Sequence, residues 1–213
     1  MVSITQRTSM ALYSDPNCHY SHRVRIVLEE KGLSTEIVDM DQNNIHPEIL
    51  EINPNAELPV LIDRDICLYE SSVLMEYLEE RFPHPPLMPV YPVIKARSRL
   101  LILRLQAEWC SDLDRLLLNK ESPKVISSLR KSLKEKIIST APIFNEHPYF
   151  MSEDFSLVDC CVAPILWRLP VVGIDLSKDK KSKPIYNYMQ RVFTQKSFSK
   201  SLSEFELEMR ESI

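Results

Sequence analysis

Glycine is the scarcest informative residue: the chain has two, Gly32 and Gly173, in 213 positions. GxGxxG and Walker loops need several glycines so that backbone amides can close on phosphate, so a dinucleotide fold and a P-loop enzyme are both excluded. Long apolar runs are also missing. No window reaches eighteen consecutive apolar residues, and residues 1 to 9, MVSITQRTS, lack the apolar core of a secretory signal. The expectation is a chain that neither spans a membrane nor is exported by that route. Cysteine is present but unorganised: Cys18, Cys67, Cys110, Cys160 and Cys161 are odd in number and show no CxxC spacing, which predicts a reduced, cytosolic (cytoplasmic) protein. His46 and His147 each precede a proline without a second His or Cys at ligand spacing, so no metal site is expected. No nucleophile elbow with a Ser/His/Asp order appears either. The formal charge is −4, which argues against a general affinity for nucleic acid, because phosphate binding needs clustered Lys and Arg. The basic run Lys178 to Lys183, KDKKSK, reads as a solvated loop.

Proline is what the chain has in concentration. RFPHPPLMPVYPV, Arg81 to Val93, holds five of the fifteen prolines and no acidic residue. Proline fixes φ and removes the backbone donor, so this stretch is expected to lie extended or turned at the surface as a stiff connector. Composition alone reads it as a spacer between domains.

The two sides of that connector are built differently. Met10 to Tyr13 reads as a buried strand, ended by Ser14-Asp15-Pro16-Asn17, with a helix from about His19 to Lys31 that closes at Gly32. Thr35 to Val38 is a second strand, and strand, helix, strand with tight connections is a right-handed βαβ unit. A short helix near Pro47 to Ile52 precedes a hairpin, Val60 to Ile62 with Ile66 to Tyr69, and a helix over Glu70 to Arg81. Beyond the connector, Ile94 to Leu118 reads as one long helix and Lys124 to Phe144 as another. Ser156-Leu157-Val158-Asp159 is a capping box opening an apolar, central helix that Pro164 interrupts. Ile185 to Thr194 and the charged end EFELEMRES are expected at the periphery. The predicted fold class is an α/β thioredoxin-like N-terminal domain (βαβαββα) over residues 1–81, a linker over 82–93 and an all-α domain over 94–213.

This order, with ELPVLID, LYESSVLMEYL and FSLVDC, resembles the glutathione transferase (GST-like) superfamily over nearly the whole chain. The resemblance implies that Pro59, after Leu58, is cis beside the thiol site, and that Glu70 and Ser71 match the pair that binds the γ-glutamyl end of glutathione. Within that superfamily, RFPHPPLMPVYPV, YSHRVRIVLEEKG, PYFMSEDFSLVDC and PILWRLPVVGI are most similar to the stringent starvation protein family. That family implies a starvation and stress regulator without demonstrable transferase activity. It implies binding to RNA polymerase holoenzyme with its primary sigma factor, a homodimer, room for a second regulator, and no cofactor. Its partner-facing pocket matches Pro83, His84, Pro85 and Tyr91. Rigid proline and tyrosine surface at low entropic cost suits such a contact, and His84 adds a donor or acceptor.

One feature points elsewhere. Cys18-His19-Tyr20-Ser21 occupies the position where glutaredoxins and omega-like transferases carry a reactive cysteine. A thiol at a helix N-terminus, with His19, His22 and Arg23 within a turn, is expected to favour thiolate. Ser21 removes the resolving thiol, so the enzyme alternative is a monothiol, glutathione-dependent transferase or oxidoreductase with Pro59, Glu70 and Ser71 as its remnant glutathione site. Cys18 as an oxidant sensor within a regulator is the third reading. A small residue filling the turn is the plainer one.

Overall fold

The computed structural model describes residues 9–211 apart from 54, 56 and 178. Most of the MVSITQRTS stretch, and Lys178 of the basic run, lie outside the described residues. The chain divides into two compact units, one running to Pro86 and taking in Lys196–Glu208, the other comprising Leu87–Gln195 and the chain from Met209.

The first unit is built on a four-stranded sheet of β1 (Ala11–Ser14), β2 (Glu36–Asp39), β3 (Val60–Asp63) and β4 (Ile66–Leu68), in the order β2-β1-β3-β4. β1 runs parallel to β2 and antiparallel to β3, and β3 and β4 form the hairpin. Alternation divides the side chains between two faces. Ala11, Tyr13, Val60 and Ile62 pack with Ile49 of α2 (Pro47–Ile52) and with Leu58, while the neighbouring Leu12 and Leu61, also fully buried, point the other way. α1 (His19–Glu30) and α3 (Ser71–Arg81) pack against each other. Gly32 ends α1 as expected, at φ +63°, with its N–H on the Glu29 carbonyl and the Leu33 N–H on the Leu28 carbonyl.

The C-terminal stretch corrects the sequence reading. Residues 196–208 belong to the first unit, and EFELEMRES is not peripheral throughout, because the Glu206 side chain is fully buried. α10 (Lys196–Ser201) packs on α1, and α11 (Glu204–Glu211) follows. The reason is ionic: α1 buries His22 and Arg25, and a carboxylate must come to them.

In the second unit, α4 (Pro92–Leu105) and α5 (Ser111–Leu118) are joined by a π-turn, Gln106–Cys110, rather than forming a uniform helix. The second long helix also breaks, into α6 (Pro123–Ser139) and α7 (Ile143–Glu146), with Pro142 between them unable to donate to the ladder. α8 (Leu157–Arg168) is buried at all its positions, includes Pro164 and begins with the expected capping box. α9 (Lys183–Phe193) follows a single 3-10 turn at Lys180–Ser182.

Asp159 is the centre of this unit's polar interior. Its carboxylate accepts from the N–H of Phe150 and of Ser156, both at 2.9 Å, and from the hydroxyls of Ser156 at 2.9 Å and Tyr188 at 2.8 Å. Burial pushes its pKa up, against those four hydrogen bonds, which favour the ionised form. Removing the acceptor orphans several buried donors at once. Asp159→Ala is therefore expected to cost about 3 kcal/mol in urea denaturation; a loss within about 0.5 kcal/mol, typical of a surface site, would contradict that role.

Candidate functional site

The connector begins where α3 ends. Phe82 closes the helix through its N–H on the Leu78 carbonyl at 3.0 Å, and Arg81 lies over the Phe82 ring, 5.4 Å from its centroid. Pro83, His84 and Pro85 follow, all exposed, with the His84–Pro85 bond cis. Not every residue of the run is at the surface, as the sequence reading required: Leu87 and Met88 are buried, and the Leu87 carbonyl accepts the first N–H of α8, from Leu157, at 2.9 Å. The run also ends inside a helix, because Pro92 takes the first position of α4, where no N–H is needed. Tyr91 is the N-cap residue there and is 72% exposed, beside Val90 at 82%. Pro83, His84 and Pro85 thus belong to the first unit and Tyr91 to the second, each open to solvent.

Within the first unit, the residues matched to glutathione chemistry have other engagements. The Leu58–Pro59 bond is cis, and both residues are buried. The Leu58 N–H donates to Gln42 Oε1 at 2.9 Å. Glu70 sits at φ +67° before α3, and its side chain makes no cap. Ser71 is turned inward, where its Oγ accepts from Arg23 Nε at 2.9 Å and also meets Arg23 Nη2. Arg23 is 1% exposed and lies over the Tyr20 ring.

Cys18 is the N-cap residue of α1, half-buried, with its N–H on the Asp15 carbonyl and its own carbonyl taking the His22 N–H. Two of the basic side chains that its sequence neighbourhood offers are directed at other groups. His22 pairs with Glu206 through Nδ1 at 3.3 Å and meets Ser201 Oγ through Nε2 at 3.1 Å. Arg23 is on Ser71. The other half-buried thiol, Cys67, is pushed up by burial and is a poorer nucleophile for it. Among the described residues, no group of three or more His, Cys, Asp or Glu side chains could hold a metal ion; His147 pairs instead with Glu153.

Several of these groups escaped the sequence reading. Arg25 reaches Glu206 Oε2 at 2.7 Å, Ser14 Oγ at 2.5 Å and the Ser201 carbonyl at 2.9 Å. A signal existed: at three residues' spacing His22 and Arg25 share one face of the helix while Arg23 lies on another, so a helix packed on several sides must bury some of them. Ser203 and Glu206 also form a reciprocal cap, each N–H reaching the other's side chain, and the S-x-x-E spacing was there to be read. Lys31, fully buried against Glu79, carried no such signal.

With fold and site in place, comparison defines the class. Residues 12–86 match the glutathione S-transferase N-terminal domain family and residues 116–196 its C-terminal domain family, so the chain belongs to the glutathione S-transferase superfamily. Among solved structures, the tau class glutathione S-transferase of mango, Mangifera indica, superposes with a TM-score of 0.83 over 96% of each chain at 19% identity, a likeness of fold. The stringent starvation protein A homolog of Coxiella burnetii is 46% identical over 97% of both chains, and that of Pasteurella multocida 48% identical over 92% of both. The chain is a member of the stringent starvation protein A family.

The buried ion cluster gives a direct test of why the C-terminal stretch joins the first unit. Glu206→Ala leaves the Arg25 charge buried without its carboxylate and is expected to cost about 3–5 kcal/mol in urea denaturation. Glu204→Ala, at an exposed position of the same helix, should change stability by less than about 0.5 kcal/mol. Equal effects of the two would remove the cluster as the anchor.

Proposed function

We propose that the chain is a cytoplasmic starvation and stress regulator of transcription that binds RNA polymerase holoenzyme with its primary sigma factor through Pro83, His84, Pro85 and Tyr91. The observation that carries this reading is the exposed, proline-stiffened connector in a member of the stringent starvation protein A family. Proline and tyrosine offer apolar area that loses little conformational freedom on binding, and no acidic residue interrupts the run. An interface of this kind is modest in area and specific in shape.

Glutathione-dependent catalysis is not its main activity in this reading. A tripeptide using the Leu58 N–H would have to displace Gln42 from it. Cys18 at the start of α1 is what favours the alternative, a monothiol transferase or oxidoreductase. A homodimer is the expected assembly: α4 exposes Val93, Ile94, Leu100 and Leu103 beside Arg97, Arg99 and Arg104, an apolar and basic surface suited to a second copy of the chain.

Titration of the purified protein against primary-sigma holoenzyme at near-physiological salt separates these readings. Saturable binding is expected, weakened at least about tenfold in a His84→Ala, Tyr91→Ala variant, as for loss of central interface contacts. The same variant should keep its thermal midpoint, because both side chains are exposed. Binding unchanged in that variant would exclude the connector as the contact. Glutathione at millimolar concentration is expected to leave the midpoint where it is; a rise abolished by Cys18→Ser would favour the enzyme.

A further inference from the structure

A proline-rich segment cannot hold itself in place. Pro83, Pro85 and Pro86 have no backbone N–H, so between Phe82 and Leu87 only His84 carries a main-chain donor. The position of such a segment depends on donors that reach its carbonyls from elsewhere. Lys31 is one. It is the C-cap residue of α1, its side chain is 0% exposed, and its Nζ lies 2.5 Å from the Pro85 carbonyl oxygen and 2.5 Å from Glu79 Oε2 on α3.

A lysine is seldom buried this completely, and salt-bridge stability alone is a weak reason to bury one, since replacing a buried pair with apolar groups is often neutral. The third group in this cluster, the Pro85 carbonyl, is adjacent to His84 and belongs to the surface segment. We propose that Lys31 is a positioning residue for the partner-facing connector. It holds the Pro85 carbonyl against α1 and α3, and so fixes the direction in which Pro83, His84 and Pro85 face solvent. Glu79 cancels its charge beneath the surface, so the buried cluster adds no net charge under the proline side chains above it. Such a face fits an apolar protein segment better than a strongly charged one. This inference rests on the reading of the connector as the polymerase contact, and adds the buried pair that sets its geometry.

The test separates positioning from stability. Lys31→Met leaves Glu79 buried beside a methionine and should lower the thermal midpoint. Lys31→Met with Glu79→Leu removes both charges, and the midpoint should largely recover, because an apolar pair of similar volume replaces the ion pair. The Pro85 carbonyl still lacks its donor in the double variant. Its His84 imidazole NMR signals should therefore differ from wild type, and its affinity for primary-sigma holoenzyme should fall about tenfold, the scale of one lost hydrogen bond from a charged donor. Wild-type His84 signals and wild-type affinity in the double variant would overturn the proposal. Should the wild-type protein not bind holoenzyme at all, the polymerase reading fails, and unchanged His84 signals in the double variant would then count separately against the anchoring.

Discussion

The first unit depends on the cost of burying positive charge. α1 carries His22, Arg23 and Arg25 into the interior, and Lys31 follows at its end. A cation taken out of water needs a partner in hydrogen-bond reach, or the fold loses several kcal/mol per charge, on the order of the whole stability of a domain. Each of the three strongest cations draws a different piece of chain onto α1. Arg25 draws Glu206, and with it the C-terminal stretch; Arg23 draws Ser71 at the start of α3; Lys31 draws Glu79 and the Pro85 carbonyl. The helix is thus the common anchor for the sheet's return helix, for the chain's far end and for the connector.

The same unit carries the residues matched to glutathione chemistry. The transferase fold provides a cis proline, a backbone N–H and a helix-start hydroxyl where a tripeptide could dock. Here the N–H donates to Gln42, and the hydroxyl oxygen accepts from Arg23. α1, whose Arg23 meets Ser71, also supports an exposed, donor-poor run of prolines at its other end through Lys31. In the proposed function, recognition on that run would come from shape held rigid beforehand.

The sequence made the fold legible wherever a residue acts on its own backbone. Gly32 ends α1, and Ser156 with Asp159 opens α8, each a local consequence of side-chain type, whereas the cis bond at Pro59 followed from the family resemblance. It was less informative where the deciding contact is distant. Nothing in EFELEMRES announces that Glu206 will be wholly buried, because its partners lie about 180 residues away, on α1. The π-turn at Gln106–Cys110 is invisible for a related reason: its apolar spacing satisfies a helical period on both sides, and only the packing selects the wider turn. Of the candidate site, the exposed residues Pro83, His84, Pro85 and Tyr91 followed from composition and resemblance. The buried Lys31 and Glu79 beneath them, and the occupation of Ser71 by Arg23, required the structure.

The central claim is that the connector is the surface that meets RNA polymerase. Photo-crosslinking tests it without removing any proposed contact: a benzophenone amino acid in place of Val90, which is 82% exposed next to Tyr91, is irradiated with purified primary-sigma holoenzyme. The same probe in place of Lys131, on the exposed face of α6, is the control. A defined adduct to a holoenzyme subunit from position 90 and none from position 131 is the result expected. No adduct from position 90, or equal adducts from both, would contradict the connector as the site of contact.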